Sequence, residues 1–376
     1  MIKGDVVLIG CGFVADLYMR SFQTFPGIRI LGAYDHAPAR LQRFCDYWDL
    51  PRFASLSDCL AALPQGGVAL NLTNPSAHFV VNKAILDAGH HCYSEKPLAL
   101  EMTEAKVLYD LAQARGLMLS SAPCSVLGEA AQTLAQAVRD KVAGPVRLIY
   151  AELDDGFIPQ APLEDWKSES GAPWPFEDEF QVGCTLEHAG YYLSWLIAMF
   201  GTVRRVVAAS AEVLPDKRGV ADTAPDFSVA TLFFEAGPVV RLTCSIAAPH
   251  DHQIRVVGDK GVLVVKQAWH NGAAVRFHRR FRLRRRLIDS PLGRRQRLRE
   301  VTPPKVGRRG AASMNFALGV AEMLAALVDD RGCRLSNEFA LHLNEVTLAI
   351  QNAGETSGAC TMTSRCPPMA TVGWPA

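Results

Sequence analysis

Val6-Val7-Leu8-Ile9-Gly10-Cys11-Gly12-Phe13-Val14-Ala15 decides how this chain is read. Four apolar residues in a row fit a buried parallel strand. The glycines that follow break it, and Leu17, Tyr18 and Phe22 then recur at helical spacing. Strand, glycine turn and helix are the context in which a GxGxxG/A arrangement binds a dinucleotide. Gly10 permits the tight turn, Gly12 lets the backbone approach a pyrophosphate, and Ala15 lets helix pack closely on strand. Phe13 and Val14 open the helix, whose free N–H groups suit an anion. A glycine turn in some other α/β protein is the competing explanation.

Ile28 to Tyr34 forms a second strand and ends at Asp35, placed 25 positions after Gly10. That spacing suits a carboxylate that binds the adenosine ribose. It favours NAD, because a 2′-phosphate would meet a negative charge; Arg40 lies close enough to keep NADP open. Alternation then continues: helices over 38–47 and 57–62, a strand at 68–72, a helix at 77–88, a strand at 91–93, a helix at 102–115 and a strand at 117–121. Repeated β–α units imply a doubly wound parallel sheet with its ligand at the carboxyl ends of the strands. Asn74-Pro75 and Ser94-Glu95-Lys96-Pro97 follow such ends and should face the cofactor.

With these pieces in order, the chain resembles the glucose-fructose oxidoreductase/inositol dehydrogenase (Gfo/Idh/MocA) family. The likeness rests on Gly10 to Ala15, Asp35, Thr73-Asn74-Pro75 with His78, Ala88-Gly89-His90-His91, and Glu95-Lys96-Pro97. It covers about residues 5–265 and 311–355. It implies an N-terminal Rossmann domain over 1–123 and a C-terminal α+β domain over 124–376. The second domain carries a large, mostly antiparallel open sheet, the substrate and often an oligomer interface, so a homo-oligomer is expected. The resemblance also implies that Thr73, Asn74, Pro75, His78 and Glu95 belong to the cofactor site. Lys96 becomes the active-site lysine, oriented by Glu95, and Pro97 follows a cis bond. A cationic lysine can stabilise an alkoxide and relay its proton. A solvated surface pair is the ordinary fate of adjacent charges such as Glu95 and Lys96.

The second half departs from the pattern. A helix at 125–141 and a strand at 146–153 precede a loop over 154–182 that holds Trp166 and Trp174. This loop is either a lid or a packed connection. Next comes Gly183-Cys184-Thr185-Leu186-Glu187-His188-Ala189-Gly190-Tyr191-Tyr192, running into an apolar helix. The family usually has Asp-x-Gly-x-His here. Aligned on Gly190, this chain has His188 and Tyr192, which share a face if the helix is regular. Tyr192 would donate a proton, since a phenol titrates near 10, and His188 would relay one or bind a substrate hydroxyl. Both residues could instead be packed in a core.

Strands at 203–213, 227–235, 239–246, 253–258 and 261–266 build the antiparallel sheet. Helices at 313–330 and 336–353 close the chain, with Ser313 and Ser336 as caps and Gly332 as a stop. Between them, residues 276–309 hold fourteen cations against Asp289 and Glu300, a net +12, so the rest carries −11 within an overall +1. Four readings stay open for this segment: a solvated insertion, a contact with anionic phosphates of a nucleotide- or lipid-linked sugar, nucleic acid, or an oligomer contact. No nucleic-acid motif accompanies it, and none is expected to bind.

The ten cysteines are scattered singly, without zinc spacing, so neither a metal site nor a disulfide framework is expected. The reduced cytoplasm fits best. No apolar run suits a membrane span or a signal peptide. The sequence therefore points to an NAD(P)-dependent oxidoreductase acting on a hydroxyl or keto carbon of a sugar-like substrate. A reductase of a non-sugar C=O or C=N bond, and a silent dinucleotide-binding regulator, are the alternatives.

Overall fold

In the computed structural model, residues 2–308, 310–356, 358–371 and 373 are described. The first layer is a five-stranded parallel sheet built from β1 (Gly4–Ile9), β2 (Ile28–Tyr34), β3 (Val68–Asn71), β4 (His91–Ser94) and β5 (Leu119–Ser121). Its order, β2-β1-β3-β4-β5, reverses direction at β1, which places a ligand crevice beyond the carboxyl ends of β1 and β3. Helices α1 (Phe13–Phe22), α2 (Pro38–Trp48), α3 (Leu56–Ala61), α4 (His78–Asp87) and α5 (Met102–Arg115) make the crossovers. The central strands β1, from Val6 on, and β3 are mostly apolar and buried, as a sheet covered on both faces requires.

After α6 (Glu129–Arg139) the chain enters a second sheet at β6 (Val146–Asp154). Helices α7 (Phe176–Val182) and α8 (Gly190–Phe200) precede β7 (Val203–Ala211), β8 (Phe227–Phe234), β9 (Val239–Ser245), β10 (Ile254–Gly258), β11 (Gly261–Val265), β12 (Val275–Leu283), β13 (Arg286–Asp289) and β14 (Arg294–Arg295). The order is β13-β12-β11-β10-β6-β9-β8-β7-β15, with β14 on β12 and β15 at Ala359–Thr361. Every pairing is antiparallel except that of β6 with β9. Burial alternates along β8 and β10, so one face meets the core and the other is left open. The apolar helix α8 is buried almost throughout, and its Trp195 donates to Ser125 Oγ at 3.1 Å.

The fold class expected from the sequence holds, with several corrections. The arginine segment is not a detached insertion: β12, β13 and β14 extend the sheet at its edge. Arg309, counted with that segment, lies outside the described residues. The late helices are α9 (Leu318–Val328) and α10 (Asn337–Gln351). Ser336 caps α10 by accepting from the Phe339 N–H, but Ser313 caps nothing. A short 3-10 turn at Gly310–Ser313 comes first; Asn315 is then held by Thr24 and the Pro304 carbonyl, and Phe316 N–H donates to Ser21, which ties this stretch to α1 ahead of Leu318. Gly332 does not close α9, which ends at Val328, with Asp330 in the left-handed region just beyond. All ten cysteines are free thiols. Among the described residues, no helix is long and apolar enough to cross a membrane.

Helix α9 packs on the parallel sheet so closely that a β-carbon on Gly319 would lie 2.3 Å from the Tyr93 ring. Tyr93 is fully buried and has no space to swing into. Gly319→Ala should therefore destabilise the protein by about 1–3 kcal/mol through overpacking, measurable as a lower denaturant midpoint with an unchanged m-value.

Candidate active site

At the crevice, Gly10 has φ +100°, and a β-carbon there would meet the Leu72 backbone at 2.6 Å. Only glycine fits this close approach of the first loop to the strand beside it. Gly12 is the N-cap of α1 with no side-chain cap, and open space surrounds its α-carbon. The uncapped helix start lines a cavity of about 470 Å³ together with Phe13 and Val14. This cradle fits a dinucleotide pyrophosphate. Thr73, Asn74 and Pro75 line the same cavity, as do Glu95 and Lys96.

Two expected cofactor residues are placed otherwise. Asp35 is buried, with a side chain 1% exposed, and it does not line the cavity. Its carboxylate accepts from the Cys11 and Ala37 N–H groups at 2.8 Å each and from both prongs of the Arg40 guanidinium at 2.8 Å. Burial opposes the charge, but Arg40 and the backbone donors outweigh it and hold the carboxyl below its ordinary range. Asp35 thus fixes the glycine loop while Arg40 neutralises it. His78 is fully buried, and its ring nitrogens lie 2.6 Å from the Pro97 carbonyl and 2.8 Å from the Thr73 carbonyl. Burial lowers its pKa, against the two carbonyls that favour its charge, and the ring clasps two site loops together.

The Lys96–Pro97 peptide is cis, as the resemblance implies. Glu95 accepts from Tyr18 Oη at 2.6 Å and from the Lys96 N–H at 3.2 Å. Its carboxylate therefore holds the lysine's backbone rather than its ammonium. The ammonium pairs with Glu187, a residue that spacing did not single out. Burial works against the Lys96 charge, but Glu187, Glu179 and Glu95 outweigh it and raise the pKa. Glu187 itself is pushed up to about 7 by burial and by repulsion from Glu179, against the pull of Lys96.

Residues 185–189 form one wide π turn ahead of α8, whose i→i+5 bonding holds an extra residue. His188 and Tyr191 line the cavity, whereas Tyr192 is fully buried, with a hydroxyl that lacks a hydrogen-bond partner among the described residues. Burial holds the Tyr192 phenol well above its ordinary pKa. The aromatic hydroxyl at the site is Tyr191, whose ring stacks on Trp269 at 4.3 Å.

His188 Nδ1 bonds to Asp155, and Nε2 lies 3.7 Å from Glu179. Burial disfavours its charge, but the two carboxylates prevail and raise its pKa to about 10. The other Asp155 oxygen lies 2.6 Å from His252 Nε2, out of line for a good hydrogen bond. Asp155, His250 and His252 bring three donor atoms within 4.8 Å of one another. Linear spacing missed this grouping because Asp155, at the end of β6, lies about a hundred positions before the histidines that precede its neighbour β10. The loop before α7 closes the wall with Trp166 and Trp174, whose rings lie 5.0 Å apart. Ser170 bonds to Asp16 at 2.8 Å and Glu169 pairs with Arg20, so the loop is pinned to α1.

A parallel dinucleotide sheet, an open second sheet and a lysine between them define a two-domain oxidoreductase. The chain belongs to the Gfo/Idh/MocA family: residues 5–122 match the oxidoreductase family with an NAD-binding Rossmann fold, and residues 131–264 match the family's C-terminal domain. It is 23% identical over 271 residues to the uncharacterized oxidoreductase sll0816 of Synechocystis sp., covering 69% of this chain and 71% of that one. It is 28% identical over 138 residues to UDP-N-acetylglucosamine 3-dehydrogenase of Acidithiobacillus ferrooxidans, covering 36% and 42%. The fold is similar to that of the WlbA dehydrogenase from Bordetella pertussis in complex with NADH and UDP-GlcNAcA. The TM-score there is 0.71 at 17% identity, over 96% of this chain and 99% of that one.

The His188–Asp155 contact gives a pH test. A histidine pKa raised from about 6.5 to about 10 contributes stability that is complete below the unfolded value and is lost as pH rises through the folded one. His188→Gln should therefore destabilise most near pH 6 and progressively less toward pH 10, read as the difference in Tm from the parent protein at each pH.

Proposed function

We propose that the chain interconverts a hydroxyl and a carbonyl on an uncharged, sugar-like substrate, using a nicotinamide cofactor. The observation that carries this is the convergence of Lys96, His188 and Tyr191 on one cavity with the uncapped start of α1. Trp166, Trp174 and Trp269 supply apolar faces for the C–H side of a sugar ring.

Gly12, Phe13 and Val14 would hold the pyrophosphate, and Thr73, Asn74 and Pro75 the adjoining part of the dinucleotide. Bound there, the nicotinamide supplies or accepts a hydride at the carbinol carbon. In the reducing direction Lys96 stabilises negative charge growing on the substrate oxygen. His188, charged at neutral pH, transfers a proton to that oxygen and is left neutral against Asp155. In the oxidising direction His188 is already protonated. The hydroxyl proton then passes through Lys96 to Glu187, which titrates near 7. The resting site is loaded with protons, which favours carbonyl reduction. Tyr191 positions the substrate oxygen, while Tyr192, expected to donate a proton, is buried and does not line the cavity.

Charge narrows the substrate. Lys96 is the single Lys or Arg among the described lining residues, beside Glu95, Asp155, Asp178, Glu179 and Glu187. A nucleotide diphosphate would meet repulsion there, so a free or lipid-linked neutral sugar fits this cavity better.

Titration of NADH and NADPH by fluorescence, followed by turnover on a panel of keto sugars and sugar nucleotides, tests the reading. Lys96→Ala should keep NADH affinity within about threefold while turnover falls about 10²–10⁴-fold; unchanged turnover, or absence of cofactor binding by the parent protein, would overturn it. Because Arg40 neutralises Asp35, NADPH should also bind. Arg40→Ala should weaken NADPH relative to NADH by about tenfold, since the charge of Asp35 is then uncompensated at the end of β2, where a 2′-phosphate is expected.

A further inference from the structure

The antiparallel sheet ends in an arm that the catalytic reading does not use. On β12 the odd-numbered residues face the core, and Val275 and Phe277 are buried. The same face then runs out past the body of the molecule. Phe281 pairs with Ile288 and Leu283 with Arg286 across the β12–β13 hairpin. Phe281 is 39% and Leu283 55% exposed, although both lie on the side that is core-facing one turn of the pleat earlier. On the opposite face Leu287 is 72% exposed, and Leu292, just beyond the hairpin, is 86% exposed.

Arginines surround these apolar residues. Arg280, Arg299 and Arg308 face Asp289, Asp140 and Glu169. Arg279, Arg282, Arg284, Arg285 and Arg286 are exposed and face no carboxylate among the described residues. Three of them form the tip, Arg284-Arg285-Arg286, with Leu283 and Leu287 on either side. Lone basic residues on an edge strand would serve to prevent sheet-to-sheet pairing. That role gives no reason to expose four large apolar side chains among them.

We propose that the β12–β13 hairpin docks this protein on an anionic lipid surface. Phe281, Leu283, Leu287 and Leu292 enter the headgroup boundary, and the unpaired arginines lie against lipid phosphates. The two components match what interfacial attachment requires, namely apolar area that enters the interface and basic residues that each add to attraction for anionic lipid. Arginine suits phosphate because its guanidinium is always charged and bonds through two prongs. The hairpin tip is eight residues along β12 from Val275, roughly 26 Å at the rise of a strand, and Val275 lies at the end of the strand nearer Trp269 and the cavity. Docking therefore leaves the cavity clear, and the proposal stands apart from the catalytic reading.

The test is flotation of the full-length protein with two kinds of vesicle. One is phosphatidylcholine alone, and the other contains about one-third phosphatidylglycerol. The expected result is flotation with the second kind at about 0.1 M salt and none with the first. Replacing Arg282, Arg284, Arg285 and Arg286 together by Ser should weaken flotation at least tenfold. Leu283→Asp with Leu287→Asp should also reduce it, and most strongly at about 0.5 M salt, where charge attraction is screened. NADH binding, unchanged in both variants, shows that they are folded. The proposal is overturned if the parent protein ignores anionic vesicles, or if the arginine variant floats as well as the parent. Tighter binding to an oligonucleotide than to the vesicles assigns the arm to nucleic acid and overturns it as well. So does a change in oligomeric mass of the leucine variant by light scattering, which assigns the face to a second copy.

Discussion

The pairing of Lys96 with Glu187 ties the two halves of the molecule together at the point where chemistry is placed. Lys96 leaves the carboxyl end of β4 in the parallel sheet, and Glu187 lies in the wide turn ahead of α8 in the second domain. Both are mostly withdrawn from water. Burying two charges is costly, and an apolar pair of similar volume would often serve stability as well or better. The pair is also one link in a series, since Glu187 faces Glu179, Glu179 faces His188, and His188 bonds to Asp155. Removing Lys96 or Glu187 leaves the other uncompensated, at a cost of about 3–5 kcal/mol for a buried pair. A core built for stability alone would not contain it. The series makes sense as a set of proton positions whose affinities are spread by their surroundings, with Glu187 moved up to about 7 and His188 to about 10.

Whatever depended on short stretches of chain was legible in advance. The strand–glycine–helix opening, the carboxylate after β2 and the lysine before proline are local signals, and each falls where its spacing placed it. Asp35 shows the limit of such a signal. Its position was read correctly, but its partners were not, because the bidentate contact with Arg40 depends on how α2 starts. Tyr192 shows a different limit. A spacing of four residues says which side chains share a face but not which of them is enclosed, and Tyr192 is buried while Tyr191 reaches the cavity, just after the π turn at 185–189. No residue type in 185–189 announces that turn. Glu187 was hidden because its partner lies 91 positions earlier. Asp155, His252 and Trp269 were hidden because strand ends and loops bring them together only once the sheet has formed. The strands at 275–295 were missed because arginines fill most of the stretch, so that the alternation of Val275, Phe277, Phe281 and Leu283 was read as a charged insertion.

The overall charge of +1 says little about this molecule, because opposite excesses are kept apart. Among the charged residues that line the cavity carboxylates predominate, with Lys96 and His188 set among them. The arginines are concentrated on an edge hairpin. Screening in physiological salt acts over about 8 Å, well short of the roughly 26 Å between hairpin tip and the cavity end of β12. The arm therefore cannot steer an anionic substrate into the cavity or shift the pKa values inside it. This separation bears on the substrate as well. Had the arginines been meant for a diphosphate on the reacting sugar, they would have to lie along the cavity wall, where the lining residues are instead acidic. On the proposals made above, the positive arm would act on where the protein sits and the cavity's carboxylates on what it admits, and a neutral sugar presented at an anionic surface would suit both.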